Sequence, residues 1–341
     1  MNKLVDILSI NTLQGRSDVP VLLAPMAGIT DWSYRILAEA QGCDAATTEM
    51  ISTQGFIYAK KSLNAYQRLI ARAPYEKPLS VQIFGHEPVY MGEAAHILSN
   101  LQRYACIDIN MGCPARKVTS GGSGSALMRN ELLAGQVIAS VVKGSLLPVS
   151  VKMRIGWDQE HINAVQIARI AESEGAAFVT VHGRTTAQQY SGHADWYAIA
   201  EVKQSVRIPV IANGDITDGA SAQHALQTTK ADGLAIGRAS LGNPWIFKAV
   251  HSNLCKLSYT PPTAAERLIE AEKHAHFLKA WLSEHRALLE MRKFYAWYIK
   301  GLRGAAEART RINRANGFEE IRTVLDNLLE INSQQEYNID L

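Results

Sequence analysis

Eight short apolar runs recur along the first part of the chain, most of them ending in glycine, asparagine or a charged residue. They are VLLAPMAG (21–28), AATTEMI (45–51), LSVQIFG (79–85), CIDINMG (106–112), VSVKMRIG (149–156), FVTVHGR (178–184), PVIANGD (209–215) and GLAIGR (233–238). Each is a few residues long and nearly unbroken, as strands buried on both faces are. Between them lie stretches with helical spacing, such as HINAVQIARIAESEG (161–175), which closes on a glycine stop. Strand and helix alternating eight times predict an α/β chain that closes into a (β/α)8 TIM barrel. An open doubly wound sheet is the rival. It ranks lower because eight units suit closure and no GxGxxG follows the first strand.

The 341 residues, 47% of them hydrophobic, suffice for one large core and a smaller second domain. After residue 256 the texture changes. SYTPPTAAER (258–267) holds a Pro-Pro break and then Thr263, placed to cap a helix. From there the chain reads as helical to its end, so the expected division is a barrel domain over 1–256 and a helical domain over 257–341. Over 286–314 the helical part carries Arg286, Arg292, Lys293, Lys300, Arg303, Arg309, Arg311 and Arg314 against only Glu290 and Glu307, with Phe294, Tyr295, Trp297 and Tyr298 interleaved. Basic and aromatic residues together suit a phosphate-rich partner with unstacked bases. The plainer alternative is a solvated helix face with its aromatics in the core. The formal net charge is only +3, so any basic surface is local. Cys43, Cys106, Cys113 and Cys255 show no CxxC or His/Cys ligand spacing, which speaks against a metal site. They read as reduced thiols of a cytoplasmic protein. No apolar run approaches the ~18 residues of a membrane span.

A barrel brings the C-terminal ends of its strands to one mouth, where barrel active sites sit. Here those ends supply Met26, Glu49, Gln82, Asn110, Cys113, Lys152, Arg154, His182, Arg184, Asn213, Asp215 and Arg238. Loops after the seventh and eighth strands often bind phosphate through backbone N–H groups. Gly214 and Gly237 let the backbone approach an anion there, and Arg238 adds charge. A cofactor phosphate so bound puts its ring over the mouth. Lys152 points inward from an apolar strand, and an ammonium there suits the negative charge of a reduced flavin. Gln82 offers a donor and an acceptor to a ring edge. His182 contacts ring or phosphate, or is a core histidine satisfied by backbone. Cys113 sits between Gly112 and Pro114 at a turn, before the flexible loop TSGGSGSA (119–126). An ordinary thiol is mostly protonated at neutral pH and can donate a proton. The alternative is a small buried apolar residue.

The matching stretches are APMAGITD (24–31), VQIFG (81–85), DINMGCPARKV (108–118), GSALM (124–128), VKMRIGW (151–157), VHGRT (181–185), IPVIANGDI (208–216) and IGRASLGNPWIF (236–247), with MRKFYAWYIKG (291–301) more weakly. On these the chain resembles the tRNA-dihydrouridine synthases and looks most like their bacterial B subfamily. The resemblance implies an FMN enzyme that uses NADPH to reduce a D-loop uridine of tRNA. It places FMN contacts on Pro25, Met26, Ala27, Gln82, Lys152, His182, Asn213, Gly214, Asp215, Gly237 and Arg238, and the catalytic cysteine on Cys113. Asn110 and Arg184 match positions near the substrate base. The basic tail, with Arg292 and Lys293, is then the expected tRNA grip. A monomer is expected, since the tail is committed to RNA.

Two features depart from the pattern. The N-terminal stretch MNKLVDILSINTLQGRSD is long, and Ser120-Gly121-Gly122-Ser123 stands where bulkier or basic residues are usual. A flavin barrel that reduces small enones or pyrimidine metabolites is the rival enzyme. It would not need the basic aromatic tail. A non-catalytic RNA-binding protein on a flavin scaffold is the third reading. Intact Cys113, Lys152 and His182 argue against it.

Overall fold

The computed structural model describes residues 3–8, 17–59 and 66–336. Part of the long N-terminal stretch, residues 1–2 and 9–16, therefore lies outside the described residues. Among the described residues there are nine parallel strands: β1 (Val21–Leu23), β2 (Ala45–Thr47), β3 (Ile51–Ser52), β4 (Leu79–Phe84), β5 (Cys106–Met111), β6 (Val149–Arg154), β7 (Phe178–His182), β8 (Val210–Asn213) and β9 (Gly233–Ile236). β1 pairs with both β2 and β9, and a pairing of β2 with β4 closes the ring. The fold is an eight-stranded (β/α)8 barrel with helices between the strands.

The run AATTEMI is one barrel position divided in two. Both β2 and β3 pair with β4, at Ala46↔Leu79 and Ile51↔Ile83. The break has a local cause. The Thr48 hydroxyl, not a strand carbonyl, takes the Gln82 N–H (3.0 Å), and the Glu49 carboxylate takes the Gly28 N–H. The helix expected within 161–175 spans Ala164–Ser173, and Gly175 follows at φ 92°, a conformation glycine adopts without strain.

The floor of the barrel is apolar. Leu22, Ala45, Cys106, Phe178 and Ile211 form one buried cluster with Leu4, Val5 and Leu8 of the short helix Lys3–Leu8. A Cβ added at Gly233 would lie 2.9 Å from Leu4 Cδ2, so the helix fills the floor closely. Full burial of a leucine side chain is worth about 1.5–3 kcal/mol. This is the packing role of the first described residues of the N-terminal stretch.

The chain divides into two compact units. One holds the barrel through Ala239 together with Phe247–Ser258. The other holds Ser240–Ile246 and the residues from Tyr259 onward. The second unit is helical, with helices Ala264–Trp281, Glu284–Tyr298, Ala305–Arg314 and Phe318–Glu336. Thr263 caps the first of them as expected, in a capping box: Thr263 Oγ1 accepts from Glu266 N (3.2 Å) and Glu266 Oε2 accepts from Thr263 N (2.7 Å). The loop Ser240–Ile246 fits against the end of the second helix within this unit. At Gly242, φ 64°, a Cβ would sit 2.3 Å from the Trp297 carbonyl carbon. Among the described residues no helix is long and apolar enough to cross a membrane.

Candidate active site

Register alone brings the polar residues of β4 to β8 together. Gln82 pairs with Asp108, Asn110 with Lys152, Arg154 with His182, and His182 with Asn213. Alternation along each strand then turns Asp108 and Asn110, Ser150 and Lys152, Thr180 and His182 to the same face. Pro25, Thr47, Ser80, Asp108, Ser150, Lys152 and Thr180 line one cavity in the barrel.

Cys113 sits just past the end of β5, half-buried, on a turn clamped from three sides. Asn110 Oδ1 accepts from Gly112 N (3.1 Å) and Cys113 N (2.9 Å). The Cys113 carbonyl accepts from both the backbone N–H (3.1 Å) and the hydroxyl (3.0 Å) of the buried Ser125. Arg154 Nε donates to the Gly112 carbonyl (2.7 Å). The Gly/Ser loop passes against the same turn. A Cβ at Gly124, φ 61°, would lie 2.9 Å from the Cys113 carbonyl oxygen, and His86 Nδ1 lies 3.1 Å from Ser123 Oγ.

Lys152 Nζ donates to Asn213 Oδ1 (3.0 Å), and Asn213 Nδ2 donates to the Ala235 carbonyl (2.7 Å). Burial first, then the Arg154 charge, lowers the Lys152 ammonium to about 8. Burial also lowers His182, with the cations Lys152, Arg154, Arg184 and Arg238 adding to it, to about 2, so the ring is neutral. Arg184 Nη1 lies 3.4 Å from His182 Nε2. A guanidinium only donates, so Nε2 accepts and the ring proton rests on Nδ1.

The last two strand ends form a second cluster. Gly214 has φ 116°, and a Cβ there would lie 2.9 Å from His182 Cδ2 and 2.8 Å from Ala194 Cβ, so only glycine fits. Asp215 follows at φ 55°. Its carboxylate accepts from Arg184 Nη2 (2.7 and 2.9 Å) and Ala194 N (2.7 Å), which leaves its backbone, not its side chain, to face a ligand. Arg238, half exposed, lies over the Tyr190 ring at 4.8 Å. Gly237 lies close to the β1 turn, since its added Cβ would stand 3.8 Å from Met26 Sδ. In that turn the Met26 carbonyl accepts from Ile29 N and Thr30 N (both 3.0 Å), with Pro25 and Met26 half-buried and Ala27 exposed.

Two residues matched to substrate positions have internal partners. The Asn110 amide is engaged at both ends: its oxygen holds the Cys113 turn and its nitrogen donates to Gln82 Oε1 (2.8 Å). The Arg184 guanidinium is buried on the carbonyls of Ser191 (3.1 Å) and Gly192 (2.7 Å) and on Asp215.

In the helical unit Arg292 Nη2 donates to the Ala315 carbonyl (3.0 Å) and Lys293 Nζ pairs with Glu290 (2.7 Å). Phe294, Tyr295 and Tyr298 are buried in that unit's own core, so the plainer reading holds for these aromatics. Lys300, Arg303, Arg309, Arg311 and Arg314 are exposed.

Three residues without a role in the sequence reading stand out. Asp108 is a buried carboxylate, and a charge inside an apolar run was the available signal. Ser125 clamps Cys113 through both its groups. Tyr190 is exposed at the mouth beneath two guanidiniums, Arg154 at 5.8 Å and Arg238 at 4.8 Å. Nothing in the sequence near Tyr190 announced it. Among the described residues no group of three or more His, Cys, Asp and Glu side chains could hold a metal ion.

A closed barrel with a thiol, an ammonium and a neutral imidazole at its C-terminal mouth defines a class, the barrel enzymes that work at their strand ends. The profile of the dihydrouridine synthase (Dus) family matches residues 22–336. A probable tRNA-dihydrouridine synthase of Rickettsia conorii is 38% identical over 322 residues, 93% of this chain and 96% of that one. One from Rhodobacter capsulatus is 42% identical over 301 residues, covering 88% and 91%. The tRNA-dihydrouridine synthase B of Xanthomonas axonopodis pv. citri is 41% identical over 298 residues, covering 86% and 88%. The chain belongs to the dihydrouridine synthase family, a flavin-dependent family of oxidoreductases.

Proposed function

We propose that the chain reduces a D-loop uridine of tRNA to 5,6-dihydrouridine, with FMN held at the barrel mouth and NADPH as electron donor. The observation that carries this reading is the Cys113 turn, fixed by Asn110, Ser125 and Arg154 within electrostatic reach of the Lys152 ammonium. FMN bound there and reduced by NADPH would supply the hydride that uracil C6 accepts. Cys113 donates its proton to C5 of the same ring, and the resulting thiolate regains a proton from solvent. Hydride and proton together saturate one carbon–carbon bond.

The mouth fits a flavin mononucleotide. Lys152 supplies a cation for the negative charge of a reduced ring. His182 offers its Nδ1 proton, and Gln82 its second Nε2 proton, to the cofactor. The backbone at Gly214, Asp215 and Gly237 would hold the phosphate, and Arg238 would add a charge-assisted contact. Pro25, Met26 and Ala27 would border the ring from the turn after β1. Asn110 and Arg184 act by holding the Cys113 turn and the 188–192 loop in place. The uridine leaves its base stack to enter the mouth. Arg292 and Lys293 are poorer RNA contacts than the exposed cations of the same unit. Reversing Arg309 and Arg311 to Glu is expected to flatten the salt dependence of tRNA binding by roughly 1–2 units of log–log slope, with NADPH oxidation unchanged. The protein acts as a cytoplasmic monomer, and a dimer in light scattering at low concentration would contradict that.

The test is position-by-position mapping of dihydrouridine in RNA from cells with and without the gene. One lost D-loop position supports the proposal and names the target. Loss of none moves the substrate to a small enone or pyrimidine.

A further inference from the structure

Asp108 lies on β5 two residues before Asn110, inside the barrel and away from the turn that carries Cys113. Its side chain is 4% exposed, and both oxygens accept: Oδ1 from the Ser150 hydroxyl (2.6 Å) and Oδ2 from Gln82 Nε2 (2.7 Å). From there a chain of hydrogen bonds runs in one direction. Gln82 Oε1 accepts from Asn110 Nδ2 (2.8 Å), and Asn110 Oδ1 accepts from the Gly112 and Cys113 N–H groups (3.1 and 2.9 Å).

A carboxamide has two ends of nearly equal shape and opposite polarity. Two in series can therefore run either way, and only the groups at the termini decide. At one terminus stands a carboxylate, which accepts only. At the other stand two backbone N–H groups, which donate only. The two termini demand the same direction. Reversing the chain would set the Asn110 amide N–H against the Cys113 N–H, donor against donor, and the turn would lose its inner clamp. The Lys152 charge favours the ionised carboxyl, although burial pushes Asp108 up to about 6. At pH 8 the terminus is an acceptor.

We infer that Asp108 is a positioning residue for Cys113: it orients the Gln82–Asn110 carboxamide chain, and through that chain it fixes the turn that presents the thiol. The inference rests on Cys113 as the proton donor. Its exchange readout needs no tRNA and no turnover, which separates it from that reading.

The experiment is hydrogen–deuterium exchange on the full-length flavin-loaded chain at pH 8, following the peptide that contains Gly112 and Cys113. Single-turnover reduction of tRNA is measured alongside. Asp108→Leu removes the acceptor. It is expected to speed exchange at Gly112 and Cys113 by about tenfold or more and to slow tRNA reduction by a similar factor, the scale of one lost buried hydrogen bond. Flavin reduction by NADPH changes far less. Asp108→Asn keeps an oxygen for Gln82 and offers its N–H to Ser150, a hydroxyl that can accept. It is expected to restore both readouts to within about threefold of wild type. Ser150→Ala frees one side of Asp108 and should move both readouts in the Leu direction by a factor of about two to five. Unchanged exchange in Asp108→Leu overturns the inference, and so does equal behaviour of the Leu and Asn variants. If the Leu variant does not fold, unchanged exchange in Ser150→Ala overturns it. A wild-type enzyme that forms no dihydrouridine defeats the functional reading instead, and the exchange data still judge the chain of bonds.

Discussion

At its floor the barrel is closed by Leu4, Val5 and Leu8 against Leu22, Phe178 and Ile211, all buried. At its mouth the barrel carries Gln82, Asn110, His182 and Asn213, which are just as buried, and Lys152, which is partly exposed. The floor gains stability simply by excluding water. The mouth hides polar groups, each of which must find a partner or destabilise the fold by about 1–3 kcal/mol. It meets that demand with a closed set of bonds from Asp108 to Cys113 and from Lys152 to the Ala235 carbonyl. One end of the molecule is thus built for stability and the other for the orientation of reactive groups.

That contrast can be broken from either end. The largest effect is expected at the mouth: Cys113→Ala should lower dihydrouridine formation by roughly 10²–10⁴ while flavin content and melting temperature hold. Flavin lost on purification would make the thiol structural. At the floor Ile211→Ala should reverse the pattern. Its denaturation midpoint should fall by the equivalent of about 2–5 kcal/mol, with turnover per folded molecule unchanged at a permissive temperature. Asp108→Asn sharpens the comparison from within. The native carboxyl is raised from 3.8 to about 6, so the folded state holds its proton more tightly than the unfolded one. That contribution to stability is complete below the unfolded value and is lost as pH rises through about 6. Removing the charge should therefore stabilise the chain by about 1–3 kcal/mol at pH 8, seen in urea titrations at two pH values. The smallest effect concerns Lys152, lowered to about 8. Its ammonium is present below that pH and lost above it. tRNA reduction should begin to decline near pH 8, and the component of the decline centred there should be missing in Lys152→Met. A flat profile in the wild type would take the ammonium out of the chemistry.

The sequence displayed the strand ends well, because a barrel turns position along the chain into position in space. Eight runs became eight barrel positions, and Cys113, Lys152, His182 and Asn213 meet at one mouth. The partners of each group were harder to read. Whether Arg184 reaches outward or inward depends on the carbonyls of Ser191 and Gly192, which local spacing does not encode. Phe294, Tyr295 and Tyr298 carry the same residue types in a binding face as in a core, and only the packing of their unit decides between them. The split of AATTEMI depends on one hydroxyl, Thr48, replacing a strand carbonyl.

The helix Lys3–Leu8 joins the floor cluster together with Ile211 and Ala235, contributed by the last two strands. On the ribosome these leucines emerge before any of the barrel strands, yet their seat is complete only after β9 has been made. Until then an apolar helix and an unclosed parallel sheet coexist on a nascent chain, the arrangement in which exposed strand edges invite misassembly. Closure of this barrel therefore waits for its last strand, although the helix that seals its floor is made before the first.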